Sequence, residues 1–364
     1  MSTIEQDLIN TIDRIAEDFC SRDERERAEK GEWPEALWQA LTEVGLTSAT
    51  VPEEAGGPGL TLDEAMAALR RTAYHALPVP FAETCAAARL LVAAGLSVPE
   101  GALTLVPVDA AQPLELAEAD GQWQLSGTAR RVPWGGQCAA TVAAARFDGR
   151  DMLVVVDAAA CRVASERNLA GEPRDTLRFD RMPAIAATPF DRAAQRLAEE
   201  GALVRSVQMT GALSRSLEYA LQYANERIAF GRPIAKFQAV QQMLAVMAGH
   251  VAAAGAAADF ALDHSATQAN RLAIAVAKAR IGEAAGRSAE IAHQVHGAMG
   301  FTHEHNLHWS TRRLWAWRDE FGGDAYWQMQ LGKAAAAVGP DALWSFLASM
   351  SVEEATGISQ EVIA

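Results

Sequence analysis

Two helix-forming regions enclose a run of short strands in this chain, and that order constrains the fold more than any single residue. Residues 1–100 carry apolar side chains at helical spacing, for example at Ile4 and Leu8. Residues 101–190 hold short apolar or alternating runs separated by Gly, Asp and Pro, as in a small β-barrel or sandwich. Residues 191–364 return to Ala-rich helical patterns that suit a bundle. Blocks of this kind predict an α+β fold, because an α/β fold needs alternating elements.

Composition and charge argue against several classes of function. The 364 residues carry a formal net charge of −14, which argues against binding to nucleic acid. No apolar run approaches the roughly 20 residues of a membrane helix, and the acidic N-terminus lacks the pattern of a signal peptide. The four cysteines are scattered without a C-x-x-C pair, which is typical of reduced thiols. We therefore expect a cytoplasmic protein without a nucleic-acid or membrane partner.

Two short segments in the last third of the chain indicate a binding site for a large anionic ligand. Arg227–Gln238 reads RIAFGRPIAKFQ, which closes one helix, turns at Phe230 and Gly231, and enters another helix. Gln294–Phe301 reads QVHGAMGF, whose glycines let backbone amides approach an anion. Arg227 presents a planar fork of donors that suits phosphate or carboxylate. Either segment alone is typical of an ordinary helix corner, whereas the pair in this order and spacing is far more specific.

This pair of motifs resembles that of the acyl-CoA dehydrogenase flavoproteins, and the resemblance runs nearly the whole length. Leu37–Ala65, LWQALTEVGLTSATVPEEAGGPGLTLDEA, is similar to the family's helix, turn and Pro-Glu-Glu-x-Gly-Gly loop. Trp123–Arg146, WQLSGTARRVPWGGQCAATVAAAR, is similar to its central β-domain. The resemblance implies an N-terminal helical domain at residues 1–100, a middle β-barrel domain at 101–190 and a C-terminal helical, flavin-binding bundle at 191–364.

FAD is the cofactor that the resemblance implies, bound between the β-domain and the C-terminal helices with part of its site from a neighbouring subunit. Arg227 would then meet the pyrophosphate, Phe230 would pack on the cofactor, and Gln238 would reach the adenosine half. The residues that would line the dinucleotide are Gln294, Gly297 and Gly300. From the residues alone, Arg227 could instead form a surface ion pair. Gln238 and Gln294 could instead cap helices or form interhelical hydrogen bonds.

The middle domain would supply the turn that faces the flavin, at Val132–Gly136. The side chains that the family commonly uses there are not preserved, so this interpretation assigns the contact to backbone amides. Trp134 is either a wall of the flavin site or a core residue. The family's Thr-Glu-Pro-x-x-Gly-Ser loop is replaced by the short VPVDAAQPLELAEADG, which leaves the placement of the substrate open.

The reaction implied by the resemblance is α,β-dehydrogenation of an acyl-CoA thioester. A carboxylate takes the α-proton while the β-hydrogen leaves as hydride to flavin N5. Alignment with the family puts Phe321 where many relatives have the catalytic Glu, so Glu320 is the first candidate base and Asp319 the second. A second base position of the family falls at Gly201, beside which Glu200 is the third candidate. For each of these carboxylates the alternative interpretation is a solvent-exposed position at the end of a helix, with no catalytic role.

We therefore expect an FAD-dependent acyl-CoA dehydrogenase that forms a homo- or hetero-oligomer and passes electrons to an electron-transfer flavoprotein. The displaced Glu leaves a second hypothesis, a non-catalytic or half-site subunit of a heteromeric dehydrogenase. A third is a flavin oxidase or monooxygenase on the same fold. A metal site is not expected, because the polar cluster from His303 to His308 lacks H-E-x-x-H spacing.

Overall fold

A computed structural model describes residues 2–265 and 270–349 of the chain. Its elements follow the predicted order of helices, strands and helices, which confirms the α+β assignment. The chain divides into two compact units, Met1–Gly211 and Ala212–Ala364. The three domain ranges remain predictions, because this division places the first helices and all the long strands in one unit.

The first unit begins with helices whose starts are encoded by capping residues. The helices are α1 (Thr3–Phe19), α2 (Arg22–Glu29), α3 (Glu35–Glu43), α4 (Leu62–Tyr74) and α5 (Phe81–Ala93). At α1, the Ser2 hydroxyl accepts from the Glu5 amide while the Glu5 carboxylate accepts from the Ser2 amide. Thr61 and Glu64 form the same reciprocal pair at α4. These bonds satisfy amides that have no partner inside the helix.

The strands of the first unit close into a barrel, as predicted. They are β1 (Leu103–Leu105), β2 (Leu114–Ala119), β3 (Gln122–Pro133), β4 (Ala140–Phe147), β5 (Arg150–Asp157), β6 (Arg162–Ala164) and β7 (Arg174–Pro189). The sheet runs in the order β1-β4-β2-β3-β7-β5, and β5 also pairs with β4, so the ring β4-β2-β3-β7-β5 has no free edge. A core of buried side chains that includes Leu125, Val154 and Leu177 fills it.

The β3–β7 pairing is irregular just before the turn that the sequence singled out. Its register shifts between Ala129 and Val132, and Arg131 has a φ of 56°. A non-glycine residue in this left-handed region is uncommon, and such irregularities often redirect a strand near a site. The shift leads directly into the segment from Val132 to Gly136.

Helix α6 (Ala193–Glu226) continues through the boundary between the two units, and its first half belongs to the first unit. A Cβ at Gly211 would lie 2.1 Å from the carbonyl oxygen of Arg70, so only glycine allows α6 to approach α4 this closely. Further along the interface, the fully buried Arg205 of α6 pairs with Glu83 of α5. The helices of the first unit are thus held by backbone contact and by buried charge.

The described part of the second unit is helical apart from one small hairpin. After α6 come β8 (Ile228–Ala229), β9 (Arg232–Pro233), α7 (Gln238–Asp263), α8 (Asn270–His296), α9 (Leu307–Asp319), α10 (Asp324–Val338) and α11 (Leu343–Ser349). A buried cluster joins the end of α6, the start of α7, the end of α8 and the start of α9 through residues such as Ala224, Leu244, Val295 and Leu307. One end of the bundle therefore brings these four helices together.

Helix α7 bears on the expectation that the chain has no membrane segment. Among the described helices it alone is long and apolar enough to cross a membrane by length and composition. The sequence shows no continuous apolar run there, because Gln, His and Gly interrupt it, yet the average over the helix is apolar. The same test is passed by core helices of soluble proteins, and α7 packs along α8. One such helix is weak evidence for a membrane segment.

Candidate functional site

The first motif forms a tight hairpin that presents its aromatic residue to solvent. Ile228 pairs with Pro233 and Ala229 with Arg232, leaving Phe230 and Gly231 as a two-residue turn with φ values of 51° and 78°. Two successive left-handed residues are what such a hairpin turn requires, and glycine adopts this conformation without strain. The predicted turn is confirmed. Phe230 is 95% exposed, which is extreme for a large apolar side chain.

The predicted ligand-binding residues Arg227, Gln238 and Gln294 are also exposed. Arg227 follows the last turn of α6, Gln238 is the first residue of α7, and Gln294 lies in the last turn of α8. Among the described residues, nothing pairs with the Arg227 guanidinium. The buried cluster at this end of the bundle joins the helices that carry all three residues. The structure therefore brings the two motifs to one end of the second unit.

The two glycines of the second motif differ in what surrounds them. Gly297 has a φ of 57° and open space where a Cβ would lie, so a ligand could approach it. Gly300 is buried, and a Cβ there would lie 2.9 Å from Cβ of His296. The absence of a side chain at Gly300 therefore serves packing against α8, and the segment Gly297–Phe301 is a short 3-10 helix.

Beneath this segment lies a cluster of imidazoles in which only His305 belongs to the polar cluster noted in the sequence. The His296 ring stacks on Tyr223 at 4.6 Å and meets His305 edge-on at 4.5 Å, while the His293 ring stacks on Trp315 at 5.5 Å. Burial lowers the pKa of His293, His296 and His305, so neutral rings are favoured. The signal was two histidines three positions apart on the buried face of α8.

The first two candidate bases lie at the end of α9. Glu320 is the C-cap residue and half-buried, whereas Asp319 is exposed. The buried Lys278 of α8 donates from Nζ to the carbonyl oxygens of Arg318 (3.1 Å) and Glu320 (2.9 Å). This cation satisfies carbonyls that the helix leaves without partners and fixes the backbone that carries both carboxylates. Asp319 also lines an open hollow of about 520 Å³.

The third candidate base is held in an ion pair within the first unit. The Glu200 carboxylate accepts from Arg89 Nε at 2.5 Å, and both side chains are largely buried. A guanidinium at this distance forms a charge-assisted hydrogen bond that occupies the carboxylate. The geometry therefore gives Glu200 a structural role and does not favour it as a base.

The turn from the middle domain is buried and uses its own amides. Trp134 is only 3% exposed, and its ring meets the ring of Trp33 edge-on at 6.4 Å. Each backbone N–H from Trp134 to Cys138 donates within the chain: to Pro173 O, Val132 O, the Asp175 carboxylate and, twice, Trp134 O. The interpretation that these amides contact a flavin is therefore not favoured, and Trp134 packs as a core residue.

Comparisons with known proteins agree with the helical regions and the two motifs described above. The family model described as "Acyl-CoA dehydrogenase, N-terminal domain" matches residues 2–96, and the model "Acyl-CoA dehydrogenase, C-terminal domain" matches residues 190–334. Together they cover about two thirds of the chain, including both motifs. The chain belongs to the acyl-CoA dehydrogenase family.

Individual members of the acyl-CoA dehydrogenase family extend this likeness. Acyl-CoA dehydrogenase IpdE2 of Mycobacterium tuberculosis is 28% identical over 290 residues, which are 76% of this chain and 79% of that protein. Acyl-CoA dehydrogenase FadE27 of the same organism is 26% identical over 334 residues, 83% and 89% of the two chains. A chain of the ChsE4-ChsE5 complex from Mycobacterium tuberculosis has the same fold, with a TM-score of 0.85, 24% identity and coverage of 93% and 99%.

Membership makes this protein an enzyme of a flavoprotein family, an oxidoreductase that acts on acyl-CoA. Acyl-CoA dehydrogenation is its activity in general terms. The family models lie on either side of the barrel, and the barrel itself is shared with the solved structures of the same fold.

Proposed function

We propose that the protein catalyses FAD-dependent α,β-dehydrogenation of an acyl-CoA thioester to the enoyl-CoA. The observation that carries the proposal is the placement of Arg227, Gln238 and Gln294, all exposed, around one end of the second unit. FAD, when bound, supplies the acceptor for the β-hydride. The chain supplies the groups that hold the cofactor and the carboxylate that takes the α-proton.

The exposed groups at this end suit a dinucleotide. Among the described residues the Arg227 guanidinium has no carboxylate partner, which leaves its fork of donors for a pyrophosphate. Phe230 has almost its whole ring in solvent, so covering it with a cofactor would remove apolar surface from water. Gln238 and Gln294 each offer both donors and acceptors to adenosine and ribose atoms. Gly297 leaves room for the ligand to approach the backbone.

Among the candidate carboxylates, we assign the role of base to Glu320. Its backbone is fixed by Lys278, and as the C-cap residue it already leaves the helical path. It is also less exposed than Asp319. Glu200 is disfavoured as a base by its ion pair with Arg89.

The test starts with the visible spectrum of the purified chain, followed by anaerobic addition of a panel of acyl-CoAs. Bound flavin that bleaches with one thioester supports the dehydrogenase and identifies the substrate class. Glu320→Gln keeps size and removes basicity, so it should slow bleaching roughly 10²–10⁴-fold while flavin stays bound. Asp319→Asn is the matched control and should change the rate little. Equal bleaching in Glu320→Gln would contradict the assignment.

A second candidate function has its own observations. Phe321 stands where many relatives have the catalytic Glu, and Glu200, beside the family's other base position, is ion-paired. One structural relative is a chain of a complex, ChsE4-ChsE5. These observations favour a half-site subunit that completes the flavin site of a partner dehydrogenase. Flavin that appears only on co-purification with a Glu-bearing paralogue would support this reading, and a self-sufficient chain would contradict it.

The proposal also covers the oligomeric state, the electron acceptor and the cellular compartment. We assign the protein to a homo- or hetero-oligomer, because an exposed cofactor-binding end needs cover from another chain. An electron-transfer flavoprotein is the proposed acceptor and the cytoplasm the proposed compartment. Rapid reoxidation of the reduced flavin in air would instead favour an oxidase, the activity named for a relative of the same fold, the prolyl acyl carrier protein oxidase AnaB (TM-score 0.79, 17% identity).

A further inference from the structure

The outer face of the barrel carries an exposed group, the arginine patch, which consists of Arg130, Arg131, Arg162 and Arg178. Arg178 alternates along β7 with Leu177 and Phe179, which are both buried in the barrel core. Because successive side chains of a strand point to opposite faces, the Arg178 side chain points away from the core. The patch therefore lies on the convex surface of the first unit.

Strand pairing places two of these arginines side by side. Arg162 of β6 lies directly opposite Arg178 of β7 in the register of the sheet. Side chains that lie directly opposite each other have Cβ atoms about 4.5–5.5 Å apart, and like charges in such a pair destabilise a sheet. The two exposed guanidinium groups therefore repel each other across neighbouring strands.

Strand β3 adds two further charges on the other side of β7. Thr128 lies opposite Arg178, and the register between β3 and β7 shifts after the next residue. The shift leaves Arg130 and Arg131 exposed one after the other, and Arg131 has a φ of 56°. Bulges of this kind redirect side chains within a strand. Three adjacent strands thus contribute positive charge to one region of the surface.

The arginine patch lacks counter-charges from its own chain. Among the residues that the structure describes, none forms an ion pair or a hydrogen bond with these four guanidinium groups. Two carboxylates border the patch without pairing to it: Asp180, two positions beyond Arg178, and Glu166, which accepts from the Thr176 hydroxyl at 3.5 Å. The chain has 46 acidic residues against 32 basic ones, so the lack of partners here does not reflect a shortage of carboxylates.

A repulsive pair without counter-charges is a feature that folding alone does not favour. Positions that break a local rule of stability are commonly functional. The guanidinium group carries a planar fork of donors that matches a carboxylate or a phosphate. The patch is therefore suited to an anionic partner.

The shape of the surface and the charge of the chain favour a protein as that partner. Small molecules bind in concave pockets, whereas the outside of a barrel is convex. A nucleic acid or an anionic membrane extends beyond the patch, and the net charge of −14 on the whole chain repels it. An acidic segment of a protein can instead present its carboxylates over a limited area, and arginine is enriched in protein interfaces.

We propose that the arginine patch docks an acidic surface segment of another protein, whose carboxylates pair with the four guanidinium groups. The outward neighbours of the arginines in these strands are Thr128, Ala164 and Thr176, none of which is a large apolar side chain. Permanent subunit interfaces are more hydrophobic than this, so the complex is a transient one held mainly by charge. The inference does not depend on the proposed function, because neither the surface nor its test involves the cofactor.

The test uses the full-length protein, with a fluorescent decaglutamate peptide as the probe for an acidic protein segment. Binding is followed by fluorescence anisotropy, and decaglutamine is the uncharged control peptide. The double substitution Arg162→Gln with Arg178→Gln removes two charges of the patch and keeps polar side chains. Arg22→Gln with Arg287→Gln is the matched control, because it removes two charges from exposed ion pairs elsewhere.

The substitutions in the patch should weaken decaglutamate binding about tenfold, as expected for the loss of two charge-assisted contacts. The control substitutions should change it less than about twofold. The melting temperature of the patch variant should stay unchanged or rise, because a like-charge pair is removed. The inference would be overturned by a wild-type protein that does not bind decaglutamate, or by equal weakening in both variants.

Three further results would overturn it in favour of another role for the arginines. Pyrophosphate that displaces decaglutamate and binds more tightly than the peptide would indicate a site for small phosphate anions. Self-association in sedimentation that disappears in the patch variant would indicate a second copy of this chain as the occupant. A clear fall in the melting temperature of the patch variant would indicate that the arginines stabilise the fold.

Discussion

The turn of the first unit and the hairpin of the second unit use their polar groups in opposite ways. In the turn, every amide from Trp134 to Cys138 donates within the chain, and the one large side chain is buried. In the hairpin, Phe230 and its neighbour Arg227 face solvent, and the described residues offer the guanidinium no partner. Both segments contain left-handed non-glycine residues, so backbone strain alone does not distinguish them.

The difference separates two contributions that a site needs. Groups that find partners inside the chain determine shape and stability, since an unpaired buried group is expensive. Groups left in solvent add little to folding and are available to a ligand or another chain. Substitutions of buried groups in the first unit should therefore act mainly on stability, and substitutions at the exposed end of the second unit mainly on binding.

The largest expected effect is on stability and concerns the ion pair between Glu83 and Arg205 in the first unit. Both side chains are at least 97% buried, and the guanidinium also donates to Gln208. Glu83→Ala leaves the cation of Arg205 without its counter-charge in an apolar interior. The free energy of unfolding should fall by about 3–5 kcal/mol. Chemical denaturation would measure this loss.

Two controls sharpen this prediction. Arg22→Ala breaks an exposed pair with Glu26 and should change the unfolding free energy by less than about 1 kcal/mol. The double substitution Glu83→Leu with Arg205→Met removes both charges and should recover much of the loss, since apolar replacements of buried pairs are often tolerated. If the unfolding free energy fell no further in Glu83→Ala than in Arg22→Ala, the predicted stabilising role of the buried ion pair would be wrong.

The second expected effect is on binding and concerns Arg227. Arg227→Ala removes no hydrogen bond or ion pair of the described side chains, so the unfolding free energy should change by less than about 0.5 kcal/mol. A charged hydrogen bond to pyrophosphate contributes about 1.5–3 kcal/mol, so FAD affinity should fall roughly 10–150-fold. Fluorescence titration of the apoprotein with FAD would measure it. Arg227→Lys keeps the charge but loses the fork and should recover affinity only in part.

The matched control for Arg227 is Arg287→Ala. Arg287 is an exposed arginine of the same unit, paired with Glu290 on α8, and has no expected role in binding. Loss of FAD affinity in both variants would indicate a general effect of net charge. A loss of stability in Arg227→Ala would show that the guanidinium contributes to folding. That result would contradict the contrast between the two regions.

The sequence predicted those parts of the molecule that depend on local patterns. The block order of helices and strands and the turn at Phe230 and Gly231 are both confirmed, because each depends on neighbouring residues. The buried pair of Glu83 and Arg205 could not be predicted, because 122 residues separate its members and only packing brings them together.

The candidate site shows the same limit. The motif residues could be named because their spacing is distinctive. The hydrogen bond from the Gly136 amide to the Asp175 carboxylate could not, because it joins residues 39 positions apart. The catalytic carboxylates were ranked by alignment alone, and the structure gives a physical reason against the third, Glu200, because Arg89, far away in sequence, pairs with it. The roles of Glu320 and Asp319 stay predictions.

The smallest expected effect is a dependence of stability on pH in the second unit. Burial lowers the pKa of His293, His296 and His305, so the folded chain binds protons there more weakly than the unfolded chain does. Their contribution to stability is complete above the ordinary histidine pKa of about 6.5 and is lost as the pH falls below it. The melting temperature should therefore fall from pH 7.5 to pH 5.5.

A substitution of His296 isolates this contribution from that of the carboxylates. His296 stacks on Tyr223 and its Nδ1–H donates to the Ala292 carbonyl oxygen, so His296→Gln removes the ionisable ring while a polar group remains. The variant should be less stable at pH 7.5, yet its melting temperature should depend less on pH than that of the wild type. His250→Gln, a substitution of a half-buried histidine beside Arg280, is the control. Parallel pH profiles for wild type and His296→Gln would contradict this prediction. They would show that burial does not lower the pKa of His296 and that the stacked rings beneath the exposed end of the second unit are not kept neutral.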